Sequence, residues 1–248
     1  MWILTHNVYW FQGKPSRWGE ERVAHAPEVF RELMQLYKSV LPDIVCLQEV
    51  HERGLGADAS DALGLPARIH AEGGVRPDYG GVILAQAGTK MRDLTRVDGQ
   101  VLHERVHLRA HVRDGAGSIE IACVHLPSNR FAGSPAGGDK ARLMELDQVL
   151  RIAPRPDVIV GDMNFRVDSL PYRFMREAGY TDSAVALGAE YSVERRVDYI
   201  WLAPTCAARL RRLVVLDGGM FRRKDTDGET WLLSDHPPLL AEIACDTR

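Results

Sequence analysis

The strongest constraint on this chain is a set of short apolar runs, rich in Val and Ile, at residues 2–5, 43–47, 81–85, 106–112, 119–124, 158–160, 198–202, 210–216 and 239–243. Their brevity and β-branching predict strands. Many lie too close together to be joined by a crossover helix, so antiparallel hairpins are required. Helical spacing appears between others. Phe30, Leu33, Tyr37 and Val40 recur along 27–40, with Pro27 suited to the first turn. Leu143, Leu146 and Leu150 follow Asp139, read as an N-cap, and a shorter helix over 170–178 stops at Gly179. Strands and helices mixed in this way predict a layered α/β sandwich.

Gly/Pro-rich stretches at 54–64, 73–81 and 131–138 read as loops, each flanked by core-like sequence, so one domain spanning 1–248 is expected. With 45% hydrophobic and 26% charged residues, disorder and fibrous repeats are excluded. A net charge of -3 excludes a uniformly basic nucleic-acid binder, so attraction for phosphate has to be local. Cys46, Cys123, Cys206 and Cys245 form no CxxC pair and read as buried thiols. No segment approaches the roughly 18 uninterrupted apolar residues of a membrane span, and MWILTHNVYW lacks signal-peptide features, so a cytoplasmic protein is expected.

Chemistry concentrates where the strands end. ILTH runs into Asn7, DIVCLQ into Glu49, IEIACV into His125, and DVIVG into Asp162 and Asn164. In α/β sheets the ligand crevice lies at such ends. One polar residue there marks only the end of a strand, but four strands with complementary groups point to a site. The carboxylate and amide oxygens are hard ligands suited to Mg²⁺, with Mn²⁺ as a substitute, and nothing has zinc spacing. A Mg²⁺ held by one or two carboxylates leaves coordination for phosphate oxygens, which predicts a phosphoester substrate.

The segments THN, LQEV, GDMN, VDY and SDH, in that order from Asn7 to His236, resemble the signatures of the endonuclease/exonuclease/phosphatase superfamily. The resemblance implies a DNase I-like, four-layered αββα sandwich of two mixed sheets flanked by helices. It implies Glu49 as the principal metal ligand, with Asn7 and Asp235 beside it. Asp162 would orient or deprotonate the attacking water, and Asn164 would help hold it. His236 would donate to the scissile phosphate, Asp198 would orient the His236 ring, and His125 would contact phosphate. Such roles match what in-line attack needs: an activated water, a cation, and a dipole where charge develops.

Local flavour divides the substrate classes. THNVY resembles the start of bacterial sphingomyelinases, HLPSNR resembles the HLxSxR segment of tyrosyl-DNA phosphodiesterases, and GDMNFR resembles those enzymes and inositol-polyphosphate phosphatases. Tyr9 stands where abasic-site endonucleases have Asp, and no exposed aromatic run serves as a membrane-inserting hairpin. Ser128, Asn129, Arg130 and Arg166 are candidate substrate contacts, Arg being able to hold phosphate bidentately. Lys140 and Arg142 read as solvated charge. Trp10, Phe11, Trp18 and Trp231 read as packing, His6 as structural, and the alternation in HERVHLRAH as an exposed strand face. The expected activity is hydrolysis of a phosphodiester, with nucleic-acid ends or phosphotyrosyl-type adducts preferred. A phosphomonoesterase acting on inositol phosphates, a sphingomyelinase-like enzyme and a catalytically silent binding module are the alternatives.

Overall fold

The structure is a computed structural model that describes residues 1–14, 25–95, 103–114, 117–188, 196–224 and 228–244; Trp18 and Cys245 lie outside them. Its elements in chain order are β1 (Trp2–Asn7), α1 (Pro27–Val40), β2 (Ile44–Gln48), α2 (Arg53–Leu63), β3 (Ala67–Ala71), β4 (Gly81–Ala85), β5 (Lys90–Asp93), β6 (His107–Asp114), β7 (Gly117–His125) and α3 (Pro135–Arg151). There follow β8 (Val158–Asp162), α4 (Leu170–Glu177), β9 (Thr181–Asp182), α5 (Ser183–Ala186), β10 (Asp198–Leu202), α6 (Pro204–Ala207), β11 (Leu210–Val215), β12 (Arg222–Lys224), β13 (Thr230–Leu232) and β14 (Leu239–Ile243).

Two six-stranded sheets are formed, ordered β11-β14-β1-β2-β4-β3 and β5-β6-β7-β8-β10-β9. Each is mixed, with a parallel pair at its centre, β1 with β2 and β7 with β8. Period-two alternation sends Ile3, Ile44, Cys46 and Ile83 of the first sheet against Leu108, Ile121, Cys123 and Val160 of the second. The intervening residues face outward. Leu4, Val45, Leu47 and Leu84 pack on α1 and α2, while Ala122, Val124, Ile159 and Trp201 pack on α3 and α4. The result is the αββα sandwich, and its strands read as unbroken apolar runs because both faces are buried. Cys46 and Cys123 are buried free thiols, and Cys206 is buried as well. Among the described residues, no helix is long and apolar enough to cross a membrane.

Four local expectations need correction. Residues 54–64 are not a loop: α2 occupies Arg53–Leu63, and Gly64 ends it in the left-handed region at φ 67°. Two glycines penalise this helix by about 1 kcal/mol each, but Leu55 and Ala59 insert into the layer under β2 and β4 and outweigh that cost. The helix expected to start at Asp139 starts one turn earlier, at Pro135. Ser134 caps it by accepting the Gly137 N–H at 3.1 Å, so 135–138 belong to α3 and not to the loop before it.

Arg142 is buried rather than solvated, and it donates to Pro127 O at 2.8 Å, Asn129 Oδ1 at 2.8 Å and Asp139 Oδ1 at 2.7 Å. Lys140 does face solvent. His103 and His107 are likewise buried, their rings 4.3 Å apart, because α3 covers this face and its Glu145 accepts from His103. Only His111 of that series is partly open. The short strands β3, β5, β9, β12 and β13 lack a long apolar run and carry no clear sequence signal.

Candidate active site

Strand register builds half of the site. In the second sheet His125 pairs with Asp162 across β7 and β8, and Asp162 pairs with Asp198 across β8 and β10, so three candidate residues stand level. This register needs Gly161: at φ 132°, any Cβ there would lie 1.9 Å from Val124 O. In the first sheet Asn7 pairs with Gln48, which brings Glu49 alongside. Glu49 and Asn164 both have positive φ, 61° and 50°. Non-glycine residues take this conformation at a cost, and both do so at the ends of strands facing the same crevice.

The two halves meet through Asn7. Its Nδ2 donates to Glu49 Oε1 and to Asp162 Oδ2, each at 3.1 Å, while its Oδ1 accepts from the Tyr9 N–H at 3.0 Å. Asp162 Oδ1 accepts the Asn164 N–H at 2.9 Å, and the Asn164 side chain donates to Leu126 O at 3.0 Å. His125 Nε2 lies 3.1 Å from Asp162 Oδ2, and its Nδ1 lies 3.8 Å from Glu49 Oε1.

His236 enters from the loop before β14. Ser234 Oγ donates to Asn7 O at 2.7 Å and accepts the His236 N–H at 3.2 Å. His6 Nε2 approaches His236 O at 2.6 Å while its Nδ1 meets the Tyr37 hydroxyl. A carbonyl can only accept, so Nε2 carries the proton and Tyr37 donates to Nδ1. His6 is therefore structural, as expected, and what it holds in place is the loop that carries His236. The imidazole of His236 spans Asp198 Oδ2, 2.7 Å from Nδ1, and Asp162 Oδ2 and Asp235 Oδ1, each 3.8 Å from Nε2.

Electrostatics separate these groups. Burial and the nearby Asp235 carboxylate push Glu49 up to about 8, against the pull of Arg105 and His236. Burial and Arg105 draw His125 down to about 4, with Asp162 opposing, so this imidazole is neutral at physiological pH. Burial also works against the charge of Asp162, but His125, His236 and Arg105 hold its carboxyl well below the ordinary range. With His125 neutral, His236 and Arg105 supply the positive charge. Burial raises Asp198 to about 6 despite His236. For His236 burial opposes protonation, yet Asp198 and Asp162 outweigh it and raise the imidazole well above 6.5.

Arg105 carries no sequence signal of its own, yet it belongs to the site. It lies just before β6, is 5% exposed, reaches His125 Nε2 with Nη1, and donates from Nη2 to Ser128 Oγ at 2.9 Å. Its guanidinium stacks 4.3 Å over the Tyr79 ring. No local pattern marks it, because its role arises from the hairpin that lays the start of β6 beside the end of β7.

Of the expected substrate contacts, Ser128 is held by Arg105 and Asn129 by Arg142, while Arg130 and Arg166 project to solvent. Arg166 lines two cavities, one of about 770 Å³ beside Asp235 and His236, the other of about 530 Å³ beside Asn129 and Asn164. Trp10, Phe11 and Trp231 are buried packing residues, with Trp10 Nε1 donating to Asp78 O at 2.8 Å.

Glu49 Oε2 is buried and has no hydrogen-bond partner among the described residues. An orphaned carboxylate oxygen in a group that also feels the Asp235 carboxylate fits a divalent cation. Asp162, Asp198 and His236 also bring ligand-type atoms within 4.8 Å of one another. The bond between His236 Nδ1 and Asp198 already accounts for that convergence without an ion.

The model of the "Endonuclease/Exonuclease/phosphatase family" matches residues 4–236. No curated protein matches the chain in sequence. Among solved structures, the human Nocturnin catalytic domain with bound sulfate anion aligns with a TM-score of 0.67 and 15% identity, covering 99% of this chain and 93% of that one. A mannosyl-6-phosphatase from Bacteroides thetaiotaomicron aligns at 0.64 and 15% identity, covering 98% and 99%. The 3′ phosphatase NExo from Neisseria, bound to a product DNA hairpin, aligns at 0.64 and 17% identity, covering 98% and 99%. At these identities the likeness to the solved structures is one of fold.

Proposed function

The chain belongs to the endonuclease/exonuclease/phosphatase family, and from that premise we propose that it is a single-domain, Mg²⁺-dependent hydrolase of phosphodiesters, with nucleic-acid ends or phosphotyrosyl-type adducts preferred. The observation that carries this reading is the pairing of Asp198 with His236 at 2.7 Å, in a site where Glu49, which feels the His236 charge, keeps an oxygen without a partner among the described residues.

Glu49 and Asp235 would hold the cation, with Asn7 bridging Glu49 to Asp162 through its amide. When bound, the cation supplies positive charge to the phosphoryl oxygens. Asp162 stays ionised, which suits it to orient a water for in-line attack more than to remove its proton outright. Asn164, whose side chain donates to Leu126 O, would help hold that water. His236, protonated through its partnership with Asp198, donates from Nε2 to the phosphoryl or leaving oxygen. Arg105, hydrogen-bonded to neutral His125, would add positive charge to the same pocket.

The test is turnover of a diester panel with Mg²⁺ or Mn²⁺. Asp162→Asn and His236→Ala should abolish it while circular dichroism stays native. Near-wild-type rates in both variants, insensitive to EDTA, would sink the reading. A phosphomonoesterase is the second reading, favoured by the phosphatases among the structural neighbours. Release of inorganic phosphate, against cleavage of a diester, separates the two.

A further inference from the structure

Helix α3 carries two buried charged residues one turn apart, Arg142 at 2% exposed and Glu145 at 7%. Each reaches a different segment of the candidate site. Arg142 grips the loop after β7, donating to Pro127 O and Asn129 Oδ1 at 2.8 Å each, with Asp139 Oδ1 at 2.7 Å as its carboxylate partner. Glu145 grips the segment before β6: Oε1 accepts the Glu104 N–H at 2.8 Å, and Oε2 accepts from His103 Nδ1 at 3.2 Å. That segment is held on its other edge by the N–H groups of Gly74, Val75 and Arg76, which donate to Arg105 O, His103 O and Glu104 O. The two gripped segments carry Arg105 and Ser128, and these bond to each other at 2.9 Å while Arg105 also reaches His125.

The helix backbone is shaped for this grip. At Gly138 a Cβ would lie 2.2 Å from Asn129 Oδ1 and 2.9 Å from Arg142 Nη2. Glycine disfavours a helix interior, and here it leaves the room that the bond between Arg142 and Asn129 fills. Burying ionised groups is costly, and apolar residues of similar volume often give a fold equal or greater stability. Stability alone therefore does not call for these two charges. We propose that Arg142 and Glu145 are positioning residues: from one helix they fix the spacing between the Ser128 loop and the Arg105 segment, so that Arg105 meets His125 and Ser128 at once. A shift of either segment parts Arg105 from one of those partners. The proposal rests on the phosphoesterase reading and adds to it the residues that set the geometry of one of its donors.

Turnover of bis(p-nitrophenyl) phosphate and p-nitrophenyl phosphate with Mg²⁺ or Mn²⁺ tests it in Arg142→Met and Glu145→Met, which keep much of the side-chain volume. Each should lower kcat by about 10- to 100-fold with little change in KM, because a misplaced donor costs the transition state more than the ground state. Glu145→Gln should recover most of the loss, its amide oxygen accepting the Glu104 N–H and its NH₂ donating to the other tautomer of His103. Arg142→Lys keeps the charge without the planar fork and should stay impaired; it carries the test if Arg142→Met does not fold. In an Arg105→Ala background neither methionine substitution should lower kcat further, whereas its effect on the unfolding midpoint should persist. Losses that add in full to that of Arg105→Ala, or an unchanged kcat in the folded single variants, overturn the positioning role. The ¹⁵N signals of the Arg105 guanidinium, sharpened by its bonds to His125 and Ser128, should broaden in Glu145→Met. Should the wild type turn over neither these compounds nor any oligonucleotide or inositol phosphate, the reaction falls and this signal alone decides: sharp in the variant it overturns the proposal, broadened it upholds it.

Discussion

His236 Nδ1 lies 2.7 Å from Asp198 Oδ2, and this contact crosses from the loop before β14 to the first residue of β10. It joins the loop that carries His236, before β14 of one sheet, to a strand of the other. It also keeps His236 charged. The imidazole is raised well above 6.5, and activity that needs its proton should persist through neutrality and fall as pH rises through the raised value. Asp198→Asn removes the charge that raises it. The alkaline limb of the pH–rate profile should move to lower pH, with a loss of about 100-fold or more in kcat at neutral pH. An unmoved limb would show that Asp198 does not tune His236.

Glu49 offers a readout that needs no substrate. Its pKa is pushed from the ordinary 4.5 to about 8, so between those values the folded metal-free protein binds a proton that the unfolded chain releases. The Glu49 contribution to stability is thus fully present below about 4.5 and is lost as pH rises through about 8, on a scale of about 1.4 kcal/mol per unit of pKa difference. In the proposed metal site a divalent cation would replace the proton, so the rise in melting temperature on adding Mg²⁺ should be larger near pH 8.5 than near pH 6. Glu49→Gln should abolish that pH dependence. Calorimetric scans with and without the ion measure it.

Arg105 holds two groups at once, His125 and Ser128. Its planar fork makes this arrangement, which a lysine ammonium on a flexible stem does not reproduce. Arg105→Ala should lower kcat/KM by about 10- to 1,000-fold, near what loss of one charged donor costs, and Arg105→Lys should recover little of it. Full rescue by lysine would reduce the role to simple charge.

At Gly161 the backbone itself forbids substitution. A Cβ would meet Val124 O at 1.9 Å with φ at 132°. Gly161→Ala should destabilise by more than about 3 kcal/mol. Urea unfolding is the measurement, and a loss below about 1 kcal/mol would mean that β7 and β8 separate there at little cost.

The local chemistry of the chain determined a great deal by itself. Strands buried on both faces must be continuously apolar, so β1, β2, β4, β7, β8, β10 and β14 are legible as runs, and the residues that end them announce a crevice. Glu49, Asp162, Asn164, Asp235 and His236 could be named because motif order and metal chemistry both pointed to them. Tertiary structure decided what depends on neighbours distant in sequence. The glycine-containing segment 53–63 is a helix because β2 and β4 offer it an apolar floor, which no local propensity encodes. His103, His107 and Arg142 look like solvated polar residues until α3 closes over one segment and buries its own arginine against the loop after β7. Arg105 joins the site only through the pairing of segments far apart in sequence. Contacts of that kind are properties of strand register and layer packing, and a linear pattern of residue types does not contain them.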